Sequence, residues 1–277
     1  EWISDKTRFS YDGLKRQRLT KPMIRDDNGN FISVEWLEAF DFIKKNIDGS
    51  MDPDQVVGVA GGLVDVETIF TLKKFISHQG SSNVISEFAG GKDLQQDFLT
   101  NHTFNSSIQG IEESDLILLV GTNPRKEAAI INARIRKRSL QGNFNVAYVG
   151  PSLDKSTQFG LNYPVDHLGK TAETLSQIAS GQHPFCVKLA QASNPIIIIG
   201  SNVLSRRDSR SLMDMFTAID VNLASIRGSQ GSFLNLIQPN ASQYGATQLG
   251  LYSFNPSFAE TLSLIHISEP TRHAVLS

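Results

Sequence analysis

Five consecutive apolar residues, Leu116–Val120, are followed at once by Gly-Thr-Asn-Pro and then by a stripe of helical period, and this stretch restricts the fold more than any other. The run is too short to cross a membrane. It is apolar on both faces, as expected of a strand inside a parallel sheet with helices on either side. Gly121 can adopt φ > 0, Asn123 can hydrogen-bond its own turn and Pro124 cannot continue a ladder, so the strand ends there. From Glu127 onward, Ala128, Ile131 and Ile135 share one helical face. Arg134, Arg136, Lys137 and Arg138 gather toward the carboxyl end, where cations favour the helix dipole. Strand, tight polar turn and helix make one half of a doubly wound unit.

The same succession recurs along the chain. A helical stripe over residues 34–47 precedes a buried strand at 56–60, which ends at Gly61-Gly62 and leads into a helix over 64–76. A short strand at 83–86 is followed by a Gly90-Gly91 break. Further on, the pattern predicts a strand at 143–149 closing at Gly150-Pro151, then helices at 171–180 and 185–192. The most β-prone run, 196–199, ends at Gly200, and Ser205 or Asp208 is placed to cap a helix running to Ile219. Val221–Ala224 reads as one more strand. The Gly-, Ser-, Asn- and Gln-rich stretch 228–255 reads as a substrate-face or interface loop outside the core. Helices alternating with short apolar strands predict an α/β fold, a mainly parallel sheet with helices on both faces in Rossmann-like layers. Ligands in such folds sit beyond the carboxyl ends of strands, an edge that the turns at Gly61, Gly121 and Gly200 would share.

A net charge of −2 gives no field that would draw nucleic acid or an anionic membrane, and the longest apolar run, 195–200, is far too short to span a bilayer. One cysteine, Cys186, allows neither an internal disulfide nor a cysteine-ligated cluster made by this chain alone. The first residue is Glu1, with no signal pattern before it, which suggests a piece of a longer protein.

No catalytic set or metal set assembles from the spacing. The glycine turns fit neither G-x-G-x-x-G nor a Walker loop, and a structural role is their commoner meaning beside phosphate binding. His78, His102, His167 and His183 are scattered, without H-x-x-x-H spacing, and read as surface or capping residues. Cys186 among apolar neighbours reads as a small buried hydrophobe. Asp65 and Glu67 could pair as acid and base, though first-turn acids favoured by a helix dipole are the commoner case. The cations at 134–138 and at Lys15-Arg16-Gln17-Arg18 could dock a partner or simply be solvated.

Three strings carry more information: EWISDKTRFSYDGLKRQRLTKPMIR at 1–25, VAGGLVDVETIFTLKKF at 59–75 and DLILLVGTNPRKEAAIINARIRK at 115–137. They closely resemble the large iron–sulfur subunit of respiratory complex I, the proton-pumping NADH:quinone oxidoreductase, in its mitochondrial and related bacterial form. The likeness continues through VDHLGKTAETLSQIASGQHPF at 165–185 and GATQLG at 245–250. It implies a molybdopterin-oxidoreductase-like α/β scaffold over 26–261, entered by a lead-in at 1–25 from an iron–sulfur domain. The 2Fe-2S and 4Fe-4S clusters of such subunits would be held by cysteines absent here, so no cofactor, metal or catalytic residue is expected in this piece. Cluster-bearing relatives have a C-x-x-G-R-F-like pattern, and Ser4 stands at the cysteine position, a lost ligand. Gly121, Thr122, Asn123 and Pro124 would correspond to a loop beside the pterin, now vestigial. The implied partners are other peripheral-arm subunits, with no nucleic acid and no direct membrane span. The implied place is the matrix side of the mitochondrial inner membrane, or the cytoplasmic side of a bacterial one. The alternative is a working molybdopterin enzyme of formate dehydrogenase type, which would need a Cys, selenocysteine or Ser over the metal.

Residues 262–272, LSLIHISEPTR, back-translate to the read-through of a transposase-type sequencing adapter. The tail at 262–277, with His266 and His273, is therefore expected to be an artefact and not native sequence.

Overall fold

The computed structural model describes residues 3–47, 52–86, 103–153, 160–204, 206–229, 231–238 and 240–251. The expected Gly90-Gly91 break, His102, Ser205 and the adapter-like tail lie outside them. The chain divides into two units, residues 1–58 with 70–84, and residues 59–69 with 85–277.

The first unit begins with a short helix, α1 (Asp5–Phe9), running on into a 3-10 turn at Ser10–Leu14. Neither buries a residue. β1 (Met23–Arg25) and β2 (Phe31–Ser33) form an antiparallel hairpin, Ile24 opposite Ile32. Its turn is held by Asp26, whose carboxylate accepts from Asn28 N and Asn30 N at 3.0 and 2.8 Å. α2 (Trp36–Asn46) follows, as the stripe predicted, yet only Ala39 of it is buried. The boundaries of the division fall within β3 (Gly58–Ala60), α3 (Val66–His78) and β4 (Val84–Ser86), of which β3 and β4 form a two-strand sheet.

The second unit is built on five parallel strands. After a helical turn α4 (Ser107–Gly110) come β5 (Leu116–Val120), α5 (Pro124–Glu127), α6 (Ala129–Ser139), β6 (Asn145–Val149), β7 (Asp166–Gly169), α7 (Ala172–Ala179) and α8 (Phe185–Gln191). Then follow β8 (Pro195–Ile199), α9 (Ser201–Leu204), α10 (Ser209–Arg227), β9 (Leu234–Leu236) and α11 (Gln243–Gln248). The sheet order is β7-β6-β5-β8-β9, all neighbours parallel, with Leu116 opposite both Asn145 and Pro195.

Alternate residues of the central strands feed two cores. Leu116, Leu118, Val120, Ile197 and Ile199 pack with Leu175, Phe185, Leu212 and Phe216 from α7, α8 and α10. On the opposite face Ile117, Leu119, Ile196 and Ile198 meet Ile111, Tyr163 and Ile135 of α6. Every residue of β5 and of β8 is buried, which is why both read as unbroken apolar runs. At the amino edge Asp115 fastens the strands together. Its carboxylate accepts from Ser193 N and from Asn194 N (2.8 Å) at the start of β8, and its carbonyl accepts from Asn145 N of β6 at 3.0 Å.

Two expectations are corrected here. Val221–Ala224 is no strand but the last part of α10, because Leu212, Phe216, Ile219 and Leu223 continue one buried helical face up to Gly228, whose φ of +62° closes the helix. The stretch 228–255 is not all peripheral loop either. It supplies β9, where Leu234, Asn235 and Leu236 are buried, and Ile237 joins the second core. The outer edge of β9 is closed by a strap at residues 103–106. Asn235 donates to Ser106 Oγ (3.0 Å) and accepts from Ser106 N (2.7 Å), while Asn105 donates to Leu234 O (2.6 Å).

Candidate functional site

The chain leaves β5 toward β6 and β7 on one side, and β8 with β9 lies on the other, so the strand order reverses between β5 and β8. The carboxyl edge at such a reversal is where a crevice opens in this class of sheet. Gly121 and Gly200, which end the two strands, pack on each other there. A Cβ on Gly121 (φ +59°) would stand 2.5 Å from Val203 Cγ2, and one on Gly200 would stand 2.6 Å from the Gly121 carbonyl oxygen. Neither position has room for any other residue.

The Gly121-Thr122-Asn123-Pro124 turn is thus assembled as the sequence suggested. Asn123 caps α5 by accepting from Arg125 N at 3.2 Å, and its own N–H donates to Glu127 Oε1 at 2.8 Å. Arg125 reaches across to donate to Gly160 O at 2.8 Å. Thr122 is buried, and its hydroxyl has no hydrogen-bond partner among the described residues.

Beside the turn lies a cleft of about 320 Å³. Its apolar wall is Val120, Val149, Leu175, Val203 and Leu212, and its polar rim is Lys170, Thr171, Asn202 and Arg206. The guanidinium of Arg206 forks onto Asp208 with two bonds of 2.7 Å, holding that carboxyl below its ordinary range. Gly150 forms the third side. The ring nitrogen Nε2 of His167, on the edge strand β7, lies 2.9 Å from Gly150 O, and the His167 ring stacks on Tyr148 at 5.5 Å between centroids. Burial, and secondarily the charge of Glu127, push the Tyr148 phenol up.

The rim residues Lys170 and Arg206 went unnoticed in the sequence because they follow β7, a polar edge strand with no apolar signal, and the short helix α9, in no recognisable motif. The third glycine turn, Gly61-Gly62, belongs to the β3–β4 pair and not to the five-strand sheet. It is held by the segment beyond β9: Ser242 donates from Oγ to Gly61 O at 3.0 Å and from its backbone N–H to Gly62 O at 3.2 Å.

The remaining candidates are spread apart. Ser4 caps α1, its hydroxyl accepting from Thr7 N at 3.2 Å. Asp65 accepts from Thr68 N at 2.7 Å, and its bonds from Thr68 hold the carboxyl low, the geometry of a capping residue. Nδ1 of His183 accepts from Phe185 N at 3.0 Å. Cys186 is half-buried on α8, its thiol pushed up by burial and donating to Ile178 O at 3.4 Å. The cations of α6 mostly serve the chain itself. Arg134 and Lys137 both bind Glu112, and Arg138 donates to Ser114 O, Gly142 O and Asn143 O. Among the described residues Arg136 has no ion pair. Among the described residues no three of His, Cys, Asp and Glu converge as metal ligands.

A protein-family model described as Molybdopterin oxidoreductase matches residues 18–271. The chain is 42% identical to the NADH-ubiquinone oxidoreductase 75 kDa subunit of Reclinomonas americana over 91% of its length, covering 37% of that protein. It is 40% identical over 96% of its length to the mitochondrial NADH dehydrogenase [ubiquinone] iron-sulfur protein 1 of Solanum tuberosum, covering 35%. The chain therefore spans about a third of the length of the curated relatives it matches. Among solved structures, acetylene hydratase from Pelobacter acetylenicus aligns with a TM-score of 0.43 and 13% identity over 91% of this chain and 33% of that one.

Proposed function

The chain belongs to the molybdopterin oxidoreductase family, and from that premise we propose that it is part of the large iron–sulfur subunit of a mitochondrial-type NADH:ubiquinone oxidoreductase, serving as an α/β scaffold in the peripheral arm. The observation that carries this reading is the identity to the 75 kDa subunit, 42% and spread over 91% of the chain. In this reading electrons pass from NADH to quinone through iron–sulfur clusters held by other parts of the subunit. Its partners are neighbouring peripheral-arm subunits, at the matrix side of the mitochondrial inner membrane. The tail at 262–277 is then adapter sequence.

The family also implies a metallated pterin, and the site geometry speaks against one here. Organic ligands usually occupy roughly 300–1,000 Å³. A pterin with its phosphates and metal needs far more than the low end of that range, and this cleft offers about 320 Å³. Among the described residues its lining includes no thiol and no carboxylate to reach a metal, and of its two cations Arg206 is already engaged by Asp208. These residues do not fit the group, and no redox step is assigned to this chain. What the turn does is join β5 to β8 and start α5.

The test is native electrophoresis of mitochondrial membranes from the source cell, with the chain tagged, combined with metal analysis of the purified polypeptide. Co-migration with NADH dehydrogenase activity is the expected result. Stoichiometric molybdenum or tungsten on the polypeptide, or migration apart from that activity, would overturn the reading in favour of a formate dehydrogenase-like enzyme.

A further inference from the structure

From the first unit alone we infer a docking surface for an acidic polypeptide segment with apolar side chains, formed by the basic lead-in at residues 5–21 and the outward stripe of α2. The inference sharpens the partner side of the scaffold reading and rests on it only for the setting of the experiment.

Every residue from Asp5 to Lys21 is exposed, including Phe9 at 69%, Leu14 at 69% and Leu19 at 67%. A five-residue helix and one 3-10 turn with nothing buried have no packing to sustain them in water, because short helices in proteins draw their stability from a covered face. Nor does this segment have the aromatic-poor composition of a solvated tail. α2 repeats the situation at helical spacing. Trp36, Leu37, Phe40 and Ile43 are 62, 79, 55 and 43% exposed, and the Trp36 and Phe40 rings lie 5.8 Å apart. The described part of the second unit, by contrast, packs its central strands into two cores, although Leu63, Leu140, Val187, Val221 and Ile226 stay exposed.

Charge decides what covers this surface. Residues 5–21 hold six Lys or Arg against two acids, Asp5 and Asp12. Lys21 pairs with Glu35, Lys15 lies over the Tyr11 ring, and Arg25 lies over Phe31. Arg8, Arg16 and Arg18 have no acidic partner among the described residues. Trp, Tyr and Arg in the open are the side chains that dominate protein–protein binding energy.

The full chain, carrying a photoreactive phenylalanine analogue at Phe9 or at Phe40, is expressed in the source cell and irradiated, and cross-linked segments are sequenced by mass spectrometry. Expected is a cross-link to one segment of another polypeptide in which Asp and Glu outnumber Lys and Arg. Arg16→Glu with Arg18→Glu should lower its yield by about fivefold or more, since reversing charges at an interface rim acts mainly on encounter. Both reversed residues are exposed, so folding, checked by the melting temperature, should not change. Cross-links to lipid, to a second copy of this chain or to a basic segment would overturn the inference, as would none. Native electrophoresis of the same samples scores the scaffold reading separately. An acidic cross-link outside the respiratory complex keeps the docking surface and removes the scaffold. Incorporation without such a cross-link does the reverse.

Discussion

α2 and α10 both carry an apolar stripe at helical spacing, and the two stripes end in opposite situations. α10 lays Leu212, Met213, Phe216, Ile219 and Leu223 into the core over β5 and β8, whereas α2 turns Trp36, Leu37 and Phe40 outward. Amphipathic pattern therefore tells that a face wants covering but not whether the cover lies in the same chain. The contrast can be broken or sharpened by substitution. Phe216 is wholly buried, so Phe216→Ala should cost about 3–5 kcal/mol in chemical denaturation. A smaller loss would mean that the sheet side of α10 repacks easily.

Gly121→Ala tests whether the turns at the carboxyl edge are as tightly built as the core. It forces a side chain into a φ of +59° and against Val203, and should cost roughly 1–3 kcal/mol. Adding Val203→Ala should relieve the overlap but not the backbone strain, so only part of the stability should return. Full recovery would show that the left-handed conformation is not required.

Asp220 gives a pH-dependent version of the same test on α10. Its carboxylate accepts from Phe233 N at 2.7 Å, tying the helix to the approach to β9, while burial pushes its pKa above the ordinary 3.8. Between 3.8 and the folded value the native state keeps a proton that the unfolded chain has lost, so this group's contribution falls as pH rises through that window. Asp220→Asn keeps the acceptor and removes the titration. The melting temperature of the wild type relative to this variant should decline as pH rises from about 4 and then level off. A constant difference would contradict the assignment.

The smallest effect is expected at the exposed stripe: Phe40→Ala should change stability by no more than about 0.5 kcal/mol. If it costs as much as Phe216→Ala, the α2 face is covered within this chain, and the contrast collapses.

What could be read from the sequence follows from the same physics. β5, β6 and β8 announced themselves because strands covered on both faces are apolar at every position or nearly so. β7, Asp-His-Leu-Gly, is an edge strand exposed over half its length and leaves no such trace. β9 was hidden by Asn235, a polar residue that is fully buried only because Ser106 and Phe233 O satisfy its amide. Val221 misled because β-branched residues suit strands, yet it sits on the exposed side of α10. At the candidate site, Gly121 and Gly200 were legible from glycine chemistry. Lys170 and Arg206 were not, since only the folded sheet brings the ends of β7 and β8 to one crevice.

Asp115 has a consequence for how such a sheet can change. By gripping the starts of β6 and β8, it anchors strand alignment at the rim opposite the crevice. Changes at the crevice rim then leave the alignment at the opposite rim untouched, so the two ends of one sheet can vary independently.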